Sequence, residues 1–240
     1  DFRQKHIAAG GEGAPLALYG DYFLFSERGE DRLLLNIGGI ANFTFLPGDG
    51  DAGNVFATDT GPGNTLLDAA AQKYFARPYD KDGRLASAGK VDNALLQRLK
   101  EAPYFHLPVP KTTGPEQFSL AWVEEHAHPS VEPADLMATL TLLTAETIAG
   151  AVNRVRLTSE KKCIYLSGGG AHNPLIIKHL KGLLPEWPML EMAALGIHGD
   201  AKEAVLFAVL ANETVAGKGG EGAQLGGVPL VGMGKVSFPG

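Results

Sequence analysis

The sequence predicts an α/β fold, a mixed sheet with helices packed on it, and three observations point there. Two apolar strand-like runs, at 54–58 and 162–166, each pass through a glycine-rich turn into a helix. Two further runs, within "LLLNIGGIANFTFL" at 33–46, are joined by Gly38-Gly39. A long helix-periodic segment occupies 133–155.

Taken in order, Gly38-Gly39 reads as the tight two-residue turn of a hairpin, whose positive φ glycine adopts at little cost. The third run, Asn54 to Thr58, ends at Asp59, and Thr60, Gly61, Pro62, Gly63 and Asn64 form the turn after it. Leu66, Leu67, Ala69, Ala70 and Phe75 then recur at helical spacing, with Asn64 as the expected N-cap. From about 84 to 133 helical patches around Leu95–Leu99 and Phe118–Val123 are broken by prolines, which predicts a helical insertion. "PADLMATLTLLTAETIAGAVNRV" reads as a long amphipathic helix with Leu136, Leu140, Leu143, Ile148 and Val152 on its apolar face. "KKCIYLSGGGAHNPLIIKHL" is a strand, a glycine turn and a helix with Asn173 at the N-cap and Pro174 at its first position. A last helix follows "GDAKEAV", where Asp200 and Glu203 have the spacing of a capping box. Residues 217–240 form a glycine-rich tail.

Composition narrows the function. The 240 residues are 45% hydrophobic and 20% charged, as in globular domains, and the net charge of −6 with no basic stripe argues against a nucleic-acid or anionic-membrane partner. A single cysteine, Cys163, excludes an internal disulfide and favours a cytoplasmic location. No run of eighteen apolar residues is present, so no membrane partner is expected. The opening "DFRQKHIAAGGEGAPL" starts without an initiator Met inside what reads as structured protein, and the chain is read as part of a longer one.

Asp59 is the residue that local structure leaves unexplained. The helix after it does not need it as a cap, so it is either a functional carboxylate in a cleft or an Asx-turn acceptor for the N–H groups of Gly61 or Gly63. The turns "NIGGIAN", "DTGPGN" and "SGGGAHN" all follow strand-like runs, and the last two open helices, where unpaired N–H groups and a partial positive charge favour an anion. None has the spacing of a P-loop or of a dinucleotide-binding turn. No His, Cys, Asp and Glu set has metal-ligand spacing, so a dedicated metal site is not expected.

The stretches "DFRQKHIAAGGEGAPL", "NIGGIANFTFLP", "DTGPGNTLLDA", "PYFHLPVPKTTGPEQFSLAW", "LSGGGAHNPLIIKHL" and "GIHGDAKEAVLFAVLA" resemble, in that order, the second part of anhydro-N-acetylmuramic acid kinases. That family belongs to the sugar-kinase, heat-shock chaperone and actin superfamily, so the resemblance implies an actin-like (ribonuclease H-like) mixed sheet with flanking helices. It also implies three parts, a hinge segment at 1–20, a C-terminal domain at 21–216 and the tail, with the family's N-terminal lobe absent and the piece alone inactive. The implied activity uses ATP and Mg2+ to convert 1,6-anhydro-N-acetylmuramic acid and water into N-acetylmuramic acid 6-phosphate in cell-wall recycling, with an amino sugar and ATP as partners and a homodimer as an open alternative to a monomer. Carried over residue by residue, Asp59 is the catalytic aspartate, and Glu203 and Arg3 contact the sugar. Asn36, Gly38, Gly39, Gly61, Gly63, Gly168, Gly169, Gly170 and Asn173 then line the nucleotide. His6 and Pro115 depart from the family pattern, which usually has an acidic residue and an arginine there, and receive no role. The rival reading is an actin- or chaperone-like ATPase or nucleotide-binding module that phosphorylates no sugar.

Overall fold

The computed structural model describes residues 8, 16–114, 116–197, 201–216, 224–225, 228–229 and 234. Helix α1 (Leu16–Phe25) precedes a hairpin of β1 (Glu30–Ile37) and β2 (Ile40–Leu46), after which β3 (Phe56–Pro62) runs into α2 (Asn64–Phe75). The next stretch holds α3 (Arg84–Ser87), α4 (Asn93–Lys100), a 3-10 turn at Pro103–His106 and α5 (Leu120–His126). The long α6 (Pro133–Val152) leads to β4 (Lys161–Ser167), α7 (Pro174–Leu183), β5 (Met189–Glu191) and α8 (Lys202–Ala216). Within the tail, β6 (Gln224–Leu225) and β7 (Val228–Pro229) make a short antiparallel ladder that buries Leu225.

Strands β1 to β5 form one sheet in the order β3-β2-β1-β4-β5. β2 is antiparallel to both β1 and β3, whereas β4 is parallel to β1 and β5 to β4. A three-stranded meander extended by two parallel strands, with helices in the connections, is the actin-like, ribonuclease H-like mixed sheet expected from the sequence.

Alternation along the strands divides the side chains between two cores. Leu33, Leu35, Ile37, Phe43, Phe45, Ile164 and Leu166 belong to the larger one, which includes Leu66 and Ala70 of α2, Ile148 of α6 and Ile176 of α7. Leu95, Leu99, Phe118 and Val123 of the proline-rich stretch join the same core. The opposite core holds Leu34, Leu46, Cys163 and Tyr165 together with Leu18, Tyr19 and Phe25 of α1 and Leu206 and Leu210 of α8. Each fully buried Leu or Phe contributes about 1.5–3 kcal/mol, so both faces of the sheet are held.

Three expectations are corrected. Helix α6 is buried on nearly every side, because Thr139, Thr141 and Thr144 are buried together with its leucines. The Thr139 and Thr141 hydroxyls donate to the carbonyls of Asp135 (2.7 Å) and Met137 (2.8 Å), which lets polar side chains sit in a core. Among the described residues it is the one helix long and apolar enough to cross a membrane, yet 78% of its apolar window is buried inside the protein, so that composition belongs to a core helix. In the hairpin, Ile37 pairs with Ala41, which makes a three-residue connection of Gly38, Gly39 and Ile40, and neither glycine has positive φ. Helix α2 is capped by Gly63 with no side-chain bond, and Asn64 is its first residue.

Candidate active site

Strands β1, β3 and β4 end on the same side of the sheet, and each runs into one of the glycine turns. The hairpin carbonyls supply the caps that α2 lacks. Gly38 O accepts the N–H of Asn64 (2.8 Å), and Gly39 O accepts those of Gly63 (2.8 Å) and Thr65 (3.2 Å). Asn64 Nδ2 donates to Ile37 O at 3.1 Å. From the other side, a Cβ placed on Gly168 would stand 2.5 Å from Asn36 Oδ1 and 2.8 Å from the Ile37 carbonyl. The three turns therefore meet around the end of β1. The N–H groups at the start of α2 are spent on the hairpin, so that helix offers an anion less than its sequence promises.

Cross-strand partners share a face, and one row at this end is polar throughout. Asp59 pairs with Asn42, Asn42 with Asn36, and Asn36 with Ser167, spanning β3, β2, β1 and β4. All four side chains are half-buried. Two residues back along each strand the same face carries Ala57, Thr44, Leu34 and Tyr165, around which α1 and α8 pack. The apolar cover gives way to a polar row at the point where the turns begin. Beside it Thr60 is the extra residue of a β-bulge opposite Ala41 and Asn42, and its hydroxyl donates to Ala41 O at 3.1 Å. Bulges redirect neighbouring side chains and locally end pairing.

Asp59 lies on the outer strand of the sheet, where a strap at 103–113 runs along it. Its N–H donates to Lys111 O at 2.9 Å, its carbonyl accepts the Tyr104 hydroxyl at 3.0 Å, and its Oδ2 accepts the Thr113 N–H at 2.9 Å. Thr58 completes the seam, since its Oγ1 accepts the Lys111 N–H at 2.9 Å. The Asx-turn alternative is thus not the arrangement found: the carboxylate is held by Thr113, and Oδ1 has no hydrogen-bond partner among the described residues. Burial raises the Asp59 pKa above the ordinary carboxylate value, and the Thr113 N–H offsets part of that rise. Asp31 makes a contrast at the opposite end of the sheet. Its fully buried carboxylate accepts from Gly48 N (2.6 Å), Thr158 N (2.7 Å), Thr158 Oγ1 (2.6 Å) and Ser159 N (3.0 Å), a set that leaves it purely structural.

The remaining expected residues divide clearly. Asn36, Gly38, Gly39, Gly168, Gly169 and Gly170 gather around the end of β1. Gly61 and Gly63 are buried and face protein: a Cβ on Gly61, which has φ +140°, would stand 2.7 Å from Phe105, and one on Gly63 would strike Gly38 O. Asn173 is buried and caps α7 through Oδ1, which accepts from Leu175 N (3.0 Å) and Ile176 N (3.3 Å). Glu203 lies within α8, and its side chain, like Arg3, His6, Pro115 and Asp200, is outside the described residues. Sequence reasoning missed Asn42, Ser167, Tyr104, Lys111 and Thr113. Asn42 had a signal, since it mirrors Asn36 across the hairpin; the other four are placed by register or by long-range contact.

The triple-glycine turn yields a matched pair of expected results. A Cβ on Gly170 would strike Ile37 Cγ2, whereas one on Gly169 would meet only Asn64 Nδ2 at 3.7 Å. Gly170→Val is expected to cost about 1–3 kcal/mol by overpacking and to lower the melting temperature. In the full-length protein Gly169→Val should leave the melting curve unchanged while raising the KM for ATP, because its side chain would fill the open space beside the turn. Unchanged nucleotide affinity in Gly169→Val by calorimetry would remove this turn from the site.

The family model described as anhydro-N-acetylmuramic acid kinase matches residues 1–230. The anhydro-N-acetylmuramic acid kinase of Pseudoalteromonas atlantica is 52% identical over 246 residues, covering 100% of this chain and 61% of its own length. That of Pseudoalteromonas translucida is 51% identical over 247 residues, covering 99% and 61%. That of Shewanella baltica strain OS155 is 44% identical over 213 residues, covering 88% and 56%. The chain therefore spans about three fifths of the length of the relatives it matches most fully, 61%. Among solved structures, the activator of the 2-hydroxyisocaproyl-CoA dehydratase from Clostridium difficile with bound ADPNP superposes with a TM-score of 0.45 at 17% identity, covering 81% of this chain and 67% of that one. A likeness at that level carries no argument about function.

Proposed function

We propose, from the premise that the chain belongs to the anhydro-N-acetylmuramic acid kinase family, that it is the catalytic half of an ATP-dependent sugar kinase. The full-length protein adds water to 1,6-anhydro-N-acetylmuramic acid and phosphorylates the freed oxygen, giving N-acetylmuramic acid 6-phosphate for cell-wall recycling in the cytoplasm. The observation that carries this reading is the Asp59 carboxylate at the polar end of the sheet, anchored through Oδ2 and with Oδ1 unengaged among the described residues. An ATPase that phosphorylates no sugar is the rival, and the family match favours the kinase.

Each group has a definable task. Asp59 takes a proton from water as the water oxygen bonds to the anomeric carbon, and the bond from that carbon to O6 breaks with its electron pair going to O6. ATP, bound with Mg2+, would supply the γ-phosphoryl group that O6 accepts, and ADP would leave. Gly168, Gly169 and Gly170 bring backbone close to the nucleotide, with Asn173 fixing the start of α7 behind them. Asn36, Gly38 and Gly39 border the phosphates, and Gly61 and Gly63 shape the turn beside them. Glu203 and Arg3 hold the sugar. The Mg2+ that accompanies ATP would be held by one or two carboxylates, with water and phosphate oxygens completing its shell.

The test is a reaction of the full-length protein with ATP, Mg2+ and the anhydro-sugar in 18O-labelled water. The expected product is N-acetylmuramic acid 6-phosphate carrying the label at the anomeric carbon. Release of inorganic phosphate with no sugar phosphate would establish the ATPase reading, and unlabelled product would remove water from the ring-opening step.

A further inference from the structure

Lys111 is buried, 9% exposed, and among the described residues it makes no ion pair. Its Nζ donates to Tyr104 O at 2.7 Å and lies 4.2 Å from the centroid of the Tyr104 ring, with the Phe105 ring 6.0 Å away. Burying an ammonium without a carboxylate is unfavourable, and an apolar side chain of similar length would cover the same surface without that cost. Desolvation, with the nearby Arg154 cation, pushes the Lys111 pKa down to about 8. Packing alone therefore does not account for a lysine here.

What the cation holds is Tyr104, and what Tyr104 holds is Asp59. The carbonyl and ring of Tyr104 are gripped by Nζ, and its hydroxyl donates to Asp59 O. The lysine backbone takes the Asp59 N–H, and two residues on, the Thr113 N–H reaches Oδ2. We infer that Lys111 is a positioning residue: it fastens the strap at 103–113 through Tyr104 and so sets the aim of the Asp59 carboxylate. The inference rests on the reading of Asp59 as the base. Loosening the strap would change both things that set the Asp59 pKa, the burial that raises it and the Thr113 bond that lowers it, so the carboxyl titration would move from its wild-type position. Tyr104 is the titratable group that meets Asp59 from the strap, and burial and the Asp59 charge both raise its own pKa, so it stays a neutral donor.

The experiment compares Lys111→Met, Tyr104→Phe and the double variant in the full-length protein. Lys111→Met is expected to leave the melting temperature unchanged or raised, to lower kcat about tenfold or more because small displacements of a reacting group are costly, and to leave the KM for ATP within about twofold. The Asp59 carboxyl 13C resonance, assigned by its loss in Asp59→Asn, should titrate at a pH displaced from wild type in both single variants, and in the same direction. The double variant should be no worse than the worse single, since both act through one contact. A kcat within about twofold of wild type with an unmoved Asp59 titration would overturn the inference. A fall in kcat that merely follows a fall in melting temperature would overturn it too, as would additive single effects. If the wild-type protein phosphorylates no sugar, the proposed function fails, and the carboxyl titration still decides the role of Lys111.

Discussion

Asp59→Asn in the full-length protein is expected to lower turnover of the anhydro-sugar by at least about two orders of magnitude, the scale of losing a general base. The fold should survive, because an asparagine Oδ1 can take over the Thr113 N–H and the backbone bonds to Lys111 and Tyr104 do not involve the carboxylate. Nucleotide affinity by calorimetry should change little. The pH profile supplies a second check with a fixed sign. The base must be ionised, and burial raises its pKa, so wild-type kcat should fall as pH drops through a value above the ordinary carboxylate one. Asp59→Asn should lose that limb along with the rate. Product formation within about tenfold of wild type would remove Asp59 from the base role.

The 240-residue chain expressed alone should show no measurable phosphorylation of the anhydro-sugar, even with ATP and Mg2+ in excess. The relatives it matches are longer, and it spans 61% of the first of them. In this chain the row of Asp59, Asn42, Asn36 and Ser167 is only half-buried, so the Asp59 carboxylate stands open to water rather than inside a closed cleft. In-line phosphoryl transfer depends on fixing donor and acceptor together, and a misplacement of about 1 Å costs roughly a hundredfold. Half a cleft should therefore lose far more than any single substitution. The measurement is product formation by the 240-residue chain beside the full-length protein at equal concentration. Robust turnover by the shorter chain would show that the reacting groups all lie within it and that the proposed division of the site is wrong.

Much of the architecture was legible because it is written in local periodicity. The hairpin at 33–46, the strand–turn–helix units around Asp59 and the triple glycine, and the long helix after Pro133 all follow from apolar spacing and from glycine and proline placement. The errors arise where a local rule met a tertiary partner. Gly38 and Gly39 look like positive-φ turn residues, yet what they supply is two carbonyls that cap α2, brought close because Gly63 carries no Cβ. Asn64 looks like a cap, yet those carbonyls release its side chain to bond Ile37 O. Helix α6 looks amphipathic only while its threonines are counted as polar; once their hydroxyls bond the preceding turn they are core residues.

By itself the sequence determined the α/β class and the singular position of Asp59, which depend on residue types at short spacing, and the family resemblance, which depends on several such stretches in a fixed order. Only the tertiary structure decided what Asp59 is bonded to. Asn42, Asn36 and Ser167 join its row through strand register, a property of pairing between segments up to 131 positions apart that no local window contains (36 to 167). Thr113, Tyr104 and Lys111 reach it through a strap folded back along the outer strand, where unpaired backbone groups of β3 must find partners and the strap provides them.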